Sequence, residues 1–330
     1  MFRAIFKLAV VCVLAIAAWL AWALLVPVTP RGETHVMLPA GSSSRRVASI
    51  LKKAGVIRSA NAFLLLHYAR PTHKLKAGEY RFVRTANAED VLDRIARGDV
   101  LSHTVVIPEG FTMFDIATAL QDAGLGSAQD FLKVAQTDTA LVQGIDPQAK
   151  TLEGYLFPDT YEFTRTQSMR DIAAVMVHRF EQEAQKIGLT QNVHEVVTMA
   201  SIVEKETAIP AERPEVASVY YNRLSKNIAL AADPTVVYAA LLDGSYRGAI
   251  FQSDLESNSP YNTYKHPGLP PGPIANPGVA SLEAAMHPAQ TNYLYFVADG
   301  TADGHHRFTS SYQQHERNVA AYRRAMKSRQ

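Results

Sequence analysis

The sequence predicts an α+β protein with an N-terminal transmembrane helix, a small α+β subdomain and a larger α+β domain. Three observations predict this class: a long uncharged apolar run near the N-terminus, a strand-helix-helix-strand order after it, and mixed helical and strand-like periodicity in the remainder. The predicted boundaries are residues 1–7 for a cytoplasmic tail, 8–28 for the membrane helix, 32–100 for the subdomain and 101–330 for the larger domain.

Composition excludes several classes of protein. Apolar residues make up 47% of the 330 residues, too many for a disordered chain. The 33 Lys and Arg nearly balance the 31 Asp and Glu, so the chain lacks the excess of positive charge that nucleic-acid binding needs. The single cysteine excludes an intrachain disulfide framework and cysteine-based zinc sites.

The predicted membrane helix lies in the uncharged stretch between Lys7 and Arg31. Its apolar run, Leu8 to Val28, is long enough to span a hydrocarbon core of about 30 Å. The alternative is a cleaved signal peptide, because Ala21-Trp22-Ala23 has the form of a cleavage site. Signal peptides have apolar regions of only about 7–15 residues, so the length favours an uncleaved anchor.

The orientation of this anchor depends on its position in the chain. Basic residues stand on both sides, Arg3 and Lys7 before the run and Arg31 and Arg45 after it, so their count does not decide. A short tail before the apolar run is the layout of a signal-anchor. We therefore expect the rest of the chain outside the cytoplasm, and the position of Cys12 within the apolar run suits an oxidising compartment.

The small subdomain begins with a strand that ends at Leu38 and a helix entered through serine caps. A second helical stretch, Ala60 to Ala69, and a strand, Gly78 to Phe82, follow. This order resembles a LysM module, a fold that holds N-acetylglucosamine-containing glycans. A generic α+β linker domain is the alternative, since no aromatic cluster in this stretch demands a sugar.

The larger domain shows strand-like runs at Val105–Ile107 and Tyr293–Val297. Helical periodicity is clear at Met169–Ile187, His194–Glu206 and Arg213–Leu224. A Pro- and Gly-rich segment, 260–278, is predicted to be a stiff extended loop, because Pro removes backbone donors from helices and central strands.

Two glutamates lie at the end of the predicted helix His194–Glu206. Residues 196–203 carry no charge, which predicts burial on all sides, and charge begins at Glu204. Glu204 and Glu206 each continue an apolar stripe, where the neutral form that a general acid needs is favoured. Periodicity does not choose between them, and both are also explained as ends of a core helix paired with Lys205 or Arg213.

Other polar clusters are ambiguous when each is taken alone. The run 153–161 packs aromatic rings between carboxylates, as sugar sites and packed loops both do. Asp233 is predicted to cap a helix that begins at Asp233-Pro234-Thr235. The run 261–264 offers stacking faces and an amide to a glycan, or forms a rigid lid. His287, His305, His306 and His315 lack metal-ligand spacing, so we expect no metal site.

Several long motifs occur together in one order: Glu153–Tyr161, Ala200–Thr207, Ala232–Tyr238, Ser259–Tyr264 and Gly268–Gly278. Together they resemble the YceG-like endolytic murein transglycosylases. The resemblance implies a bacterial inner-membrane protein with a periplasmic catalytic domain. It further implies cleavage of the β-1,4 bond between N-acetylmuramic acid and N-acetylglucosamine within glycan strands.

The resemblance also implies roles for single residues. The catalytic glutamate is the first one of the Glu-Lys-Glu-Thr motif, here Glu204, with Glu206 in support. It protonates the glycosidic oxygen and then takes the proton of the muramyl C6 hydroxyl, which closes a 1,6-anhydro ring without water. The residues expected to bind substrate are Glu153, Tyr155, Asp233, Thr235, Tyr261, Asn262, Tyr264 and Asn276.

No cofactor is expected, and the implied partners are peptidoglycan glycan strands and, by analogy, penicillin-binding synthases. Two alternative functions remain at this stage. One is a metal-dependent peptidoglycan amidase or peptidase that uses the C-terminal histidines. The other is a non-catalytic glycan-binding membrane anchor that relies on the LysM-like region.

Overall fold

A computed structural model describes residues 2–30, 32–301 and 303–327. The chain mixes helices and strands and has an N-terminal apolar helix, which confirms the predicted α+β class. Some sequence predictions involve residues outside these ranges. They are Arg31, which was counted among the basic residues that flank the apolar run, and the terminal residues of the predicted segments 1–7 and 101–330.

The helices up to residue 137 are α1 (Phe2–Leu25), α2 (Ser44–Lys53), α3 (Ala60–Ala69), α4 (Ala88–Arg97), α5 (Met113–Asp122) and α6 (Ala128–Thr137). Those that follow are α7 (Met169–Lys186), α8 (Val193–Glu206), α9 (Arg213–Ser225), α10 (Asp233–Leu242), α11 (Gln252–Leu255), α12 (Val279–Met286) and α13 (Tyr312–Lys327). The strands are β1 (Thr34–Leu38), β2 (Gly78–Phe82), β3 (His103–Val106), β4 (Thr160–Phe163), β5 (Tyr295–Ala298) and β6 (His306–Thr309). They pair as β1-β2, β3-β4 and β5-β6.

Helix α1 is apolar and long enough to cross a membrane, with a mean hydropathy of 2.6. It begins earlier than the predicted start at Leu8 and ends at Leu25, before the predicted end at Val28. Pro27 explains the earlier end, because proline disfavours helical backbone at the residue before it. Val28 instead exchanges two backbone hydrogen bonds with Ala86, of 2.8 and 3.1 Å.

Two compact units divide the chain. Unit 1 contains Met1–His103 and Glu162–Ser168, and unit 2 contains Thr104–Tyr161 and Met169–Gln330. The first switch lies close to the predicted boundary at residue 100. The return of 162–168 to unit 1 has no counterpart in the predicted division.

Unit 1 is built on the antiparallel pair β1-β2, in which Val36 faces Tyr80. Helices α2 and α3 connect the two strands, and α4 follows β2. The helices begin at polar caps: the side chain of Ser43 accepts from the Arg46 amide, and Asn87 forms a capping box with Asp90. The core that results combines strand and helix residues, among them Leu38, Leu51, Phe63, Tyr80, Leu92 and Ile95.

Unit 2 contains the predicted helices α7, α8 and α9, whose observed ends lie within a residue of the predicted ones. Helix α8 is buried at every position from Val197 to Val203 and packs against α9 and α12. The Pro- and Gly-rich segment 260–278 is free of helix and strand, as predicted. Its far end leads directly into α12 at Val279, so the loop ends beside the C-terminal turn of α8.

Candidate active site

The last turn of α8 carries the first charged side chains after its buried part, and the two glutamates there have different surroundings. Glu204 Oε1 accepts a hydrogen bond from Arg213 Nη2 at 2.8 Å, and Oε2 accepts from the Gly278 amide at 3.0 Å. Both side chains are nearly inaccessible, 5% exposed for Glu204 and 6% for Arg213. Glu204 therefore joins the end of α8 to the starts of α9 and α12 through a buried ion pair.

Among the residues that the structure describes, no cationic side chain forms a salt bridge with Glu206. Its Oε1 accepts a 2.6 Å hydrogen bond from the hydroxyl of Tyr220 on α9. Burial raises the pKa of Glu206 from 4.5 to about 7, and the negative charge of Asp233 acts in the same direction. The Tyr220 hydrogen bond and the charge of Arg223 oppose this rise. The carboxyl thus titrates near neutral pH.

Glu206 lines a cavity of about 310 Å³. The remaining walls come from α9, α10, the Pro- and Gly-rich loop and the C-terminal elements: Tyr220, Arg223, Leu230, Ala231, Asp233, Tyr264, Phe296 and His315. A second cavity of about 410 Å³ has Lys205 and Asp233 in its walls. Because Asp233 borders both, the two cavities adjoin along the start of α10, and neighbouring residues of α8 face one each.

Asp233 and Tyr264 are the two predicted substrate-binding residues that the structure places beside Glu206. The Tyr264 hydroxyl donates a 2.6 Å hydrogen bond to Asp233 Oδ1, and the Tyr264 side chain is 42% exposed. Asp233 does not cap α10 as predicted: it is the first helical residue, and Ala232 holds the cap position without a side-chain hydrogen bond. The carboxylate is thereby left exposed at the cavity border.

Glu153 and Asn276, two other predicted residues, are fully buried and do not line either cavity. Both oxygens of Glu153 lie 3.0 Å from the Met113 amide, and Asn276 Nδ2 donates to Oε1 at 2.7 Å. Burial raises the pKa of Glu153 to about 8. Asn276 Oδ1 accepts from the amides of Gly154 and Leu156, each at 2.9 Å. Glu153 and Asn276 therefore link three segments by hydrogen bonds: the start of α5, the run that begins at Glu153, and the Pro- and Gly-rich loop.

Tyr155, Thr235 and Asn262 are likewise completely buried. The Tyr155 hydroxyl donates to Asp146. Asn262 Nδ2 donates to two carbonyls at and after the end of α11, Leu255 at 3.0 Å and Ser257 at 2.8 Å. Tyr261 is half-buried, with its ring centroid 5.1 Å from that of Tyr238. These four predicted residues are not among the side chains that line the two cavities.

Sequence reasoning missed Tyr220 and Arg223, which share one face of α9 and point toward Glu206. Arg223 is held by the carbonyls of Leu294 and Leu230 at 2.7 and 2.6 Å. Their signal in the sequence was a spacing of three on a predicted helix, which any amphipathic helix shows. Among the histidines, His305 and His306 both contact Glu212, at 2.8 and 2.7 Å.

Comparison with known proteins agrees with this fold. The model of the YceG-like family matches residues 36–321, which covers most of the chain. An endolytic murein transglycosylase of Bacillus subtilis is 36% identical over 321 residues, spanning 91% of this chain and 88% of the relative. Those of Streptococcus pneumoniae are 30% identical, and the aligned region spans 60% of their length.

A solved structure gives the same result. The crystal structure of a YceG-like protein from Listeria monocytogenes superposes with a TM-score of 0.57 and is 34% identical; the match covers 86% of this chain and 98% of that one. The fold is that of an α+β protein with an N-terminal apolar helix that is a candidate membrane span. Within that class, the chain belongs to the YceG-like family.

Proposed function

We propose that the chain is an endolytic murein transglycosylase that cleaves the β-1,4 bond between N-acetylmuramic acid and N-acetylglucosamine within peptidoglycan strands. The relatives that carry this name align along nearly the whole chain. The observation that carries the proposal is a carboxyl group with a pKa of about 7 in the wall of an open cavity, because such a group donates a proton near neutral pH.

We assign the proton transfer to Glu206, the second glutamate of the motif. Glu204, which the sequence resemblance favours, is engaged at both oxygens by Arg213 and the Gly278 amide, so its carboxylate is already committed to a structural contact. Glu206 keeps one oxygen outside its hydrogen bond with Tyr220 and lines the cavity. Glu204 then acts as a positioning residue that fixes the last turn of α8.

The reaction uses one carboxyl group twice. Protonated Glu206 gives its proton to the glycosidic oxygen while the bond to C1 of the muramyl residue breaks and positive charge develops on that sugar. The exposed carboxylate of Asp233 stabilises this charge. The Glu206 carboxylate, supported by the Tyr220 hydroxyl, then takes the proton of the C6 hydroxyl as this oxygen attacks C1. A 1,6-anhydro end forms and no water is consumed.

The two cavities that meet at Asp233 supply room for sugars on either side of the scissile bond. Tyr264 is the aromatic side chain of the predicted set that offers an exposed ring to one of these sugars. Five other predicted residues are fully buried and do not line the cavities: Glu153, Tyr155, Thr235, Asn262 and Asn276. Their substitution is then expected to act on stability before it acts on substrate affinity.

We test the assignment with the isosteric variants Glu206→Gln and Glu204→Gln, incubating full-length protein in detergent with purified sacculi. Removal of a general acid costs about 10²–10⁴-fold in rate, so Glu206→Gln is expected to lose anhydromuramyl product by that factor at unchanged thermal stability. Glu204→Gln is expected to lower the unfolding midpoint and to lose less activity. Glu195→Gln, at the exposed start of the same helix, is the control.

The outcomes separate the alternatives. Normal cleavage by Glu206→Gln together with loss by a well-folded Glu204→Gln would return the catalytic role to Glu204. Cut peptides with intact glycan, and inhibition by chelators, would indicate the amidase or peptidase. Binding to sacculi without any anhydro product from the unaltered protein would indicate the non-catalytic anchor.

Two further properties belong to the same proposal. We place both units on the extracytoplasmic side, where peptidoglycan is, with α1 as the membrane anchor. We also propose that unit 1 is a LysM-like module, which is supported by its β1-α2-α3-β2 order and antiparallel strand pairing. Penicillin-binding synthases are proposed partners, since they make the strands that this enzyme cuts.

A further inference from the structure

We propose that unit 1 binds the head group of an anionic phospholipid in an arginine-lined cavity beside the end of the membrane helix. The cavity has a volume of about 590 Å³ and lies between β2 and α4. Its charged walls are Arg81, Arg84, Arg94, Arg97, Asp90 and Asp99. It lies in unit 1, so it is separate from the site assigned to glycan cleavage.

The cavity wall is hydrogen-bonded to the segment that follows the membrane helix. Ala86, one of its wall residues, exchanges both backbone hydrogen bonds with Val28. Val28 follows the end of α1 at Leu25 by three residues. Three residues of extended chain reach about 10 Å, so the cavity wall begins about one Debye length from the helix end. Charges there interact with a lipid surface at physiological salt.

The junction itself is fixed. The Arg58 side chain donates hydrogen bonds to the carbonyls of Val26 and Pro27, at 3.2 and 2.9 Å. Its guanidinium lies 4.8 Å from the centre of the Trp22 ring, which is 49% exposed near the end of α1. A tryptophan at this position marks the membrane interface. Ala23 is buried and α1 packs against α3 and α4, so the last turn of α1 and the cavity belong to the same compact unit.

The charges that line the cavity favour an anion. Asp99 is paired with Arg94 at 3.2 Å, and Asp90 accepts a hydrogen bond from the Asn87 amide at 3.0 Å in the cap of α4. In the described ranges, no carboxylate forms a salt bridge with Arg84 or Arg97, and both side chains are exposed. These two guanidinium groups are therefore available for the bidentate hydrogen bonds that arginine makes to phosphate.

An apolar wall accompanies this charge. Val83, between Arg81 and Arg84, lines the same cavity and is 50% exposed. A phospholipid brings a phosphate together with the apolar start of its acyl chains, and so meets both kinds of wall. A free phosphate ion would contact the arginines but would leave the apolar wall without a partner.

The test uses full-length protein in detergent titrated with phosphatidylglycerol or phosphatidylcholine, with bound lipid measured by native mass spectrometry. The double variant Arg84→Ala/Arg97→Ala is compared with Arg45→Ala/Arg46→Ala, which removes the same charge from the exposed start of α2. We expect the unaltered protein to prefer phosphatidylglycerol. We expect the first variant to bind it about 30-fold more weakly, because each juxtamembrane arginine contributes about fivefold. The second variant should bind as the unaltered protein does.

A competition with inorganic phosphate distinguishes the two sources of the anion. Persistence of bound phosphatidylglycerol in excess phosphate supports the lipid site, and its complete displacement would overturn it in favour of a free-phosphate site. Equal binding of the two lipids, or equal losses in the two double variants, would also overturn it. Unchanged thermal unfolding of both variants shows that the losses do not come from misfolding.

Discussion

At the scale of single residues, the two glutamates of the last α8 turn show how strongly surroundings divide identical side chains. Glu204 is neutralised by a buried arginine, and Glu206 is bordered by a tyrosine hydroxyl and an open cavity. The sequence predicted that a catalytic carboxyl group lies at the end of this helix. Helical periodicity did not separate the two, and the family resemblance favoured Glu204. The surroundings that distinguish them come from Arg213 and Tyr220 on another helix, whose approach depends on tertiary packing.

A pH dependence follows from the position of Glu206. Its folded pKa of about 7 means that the proton-donating form is lost as pH rises through 7, so kcat/KM is expected to fall up to tenfold per pH unit above it. The Tyr220 hydrogen bond favours the ionised form, so Tyr220→Phe should raise the pKa of Glu206 and move this fall to higher pH. The measurement is the pH profile of anhydromuramyl product release.

The control for this profile is Tyr221→Phe, whose hydroxyl donates to the Ala285 carbonyl at 2.9 Å and does not contact Glu206. Its profile should coincide with that of the unaltered protein. A profile of Tyr220→Phe that moves to lower pH would contradict the assigned proton donor.

At the scale of elements, the sequence predicted α7, α8 and α9 well, because their apolar residues recur with helical period. It predicted neither β6 nor α13. The sequence of α13 lacks a broad apolar stripe, which is the pattern that predicts a packed helix. In keeping with this, Asn318 is the buried residue in the described part of α13. Strand β6 alternates weakly and is defined by pairing with β5, from Tyr295 opposite Thr309 to Ala298 opposite His306.

The predicted sugar-binding residues that turned out to be buried have a structural explanation. Gly154 has φ of +89°, and a Cβ there would lie 2.5 Å from Pro273. The backbone at Gly154 therefore packs directly against the Pro273 side chain of the Pro- and Gly-rich loop. Such a close junction needs polar side chains to satisfy its amides, which Glu153 and Asn276 supply. Polar residues in a loop suggest exposure in the sequence, and only the fold shows that they face inward.

Glu153 makes the stability of this junction depend on pH. Its pKa rises from 4.5 to about 8 on folding, so between these values the folded state binds the additional proton. Its contribution is therefore fully present below pH 4.5 and is lost as pH rises toward 8, at up to about 1.4 kcal/mol per pH unit. The variant Glu153→Gln, neutral at every pH, should flatten this part of the curve.

The measurement is the free energy of unfolding in urea at several pH values. Glu195→Gln, an exposed change in the same unit, should leave the slope unaltered. A Glu153→Gln curve as steep as that of the unaltered protein would show that Glu153 is ionised in the folded state throughout.

At the scale of the whole molecule, the sequence predicted the N-terminal helix and the family, since apolar length and long motifs are local properties of the chain. The division at residues 100 and 101 remains a prediction. The return of 162–168 to unit 1 was beyond a sequence argument, because its contacts are distant in the chain: Arg165 Nη1 lies 3.2 Å from Glu79 Oε1.

The packing of α1 predicts that the N-terminal segment stays attached. Ala23, the residue after which a signal peptidase would cut, is 3% exposed within the helix, and Arg58 holds the carbonyls that follow. The intact mass of protein extracted from membranes should therefore include residues before Leu24. Ala21→Leu removes a small residue that the peptidase requires and should change the mass only by the substitution. A mature chain beginning at Leu24 would contradict the anchor.

The Arg58 contacts limit how far the folded part of the chain can move relative to the end of α1. A flexible linker would let the soluble part of an anchored protein sample a hemisphere whose radius grows with linker length. Here only a few residues separate the end of α1 from β1. Hydrogen bonds from Arg58 to the carbonyls of Val26 and Pro27 restrain this segment. With α1 as the proposed membrane anchor, these contacts would hold unit 1 at a nearly constant distance from the bilayer surface.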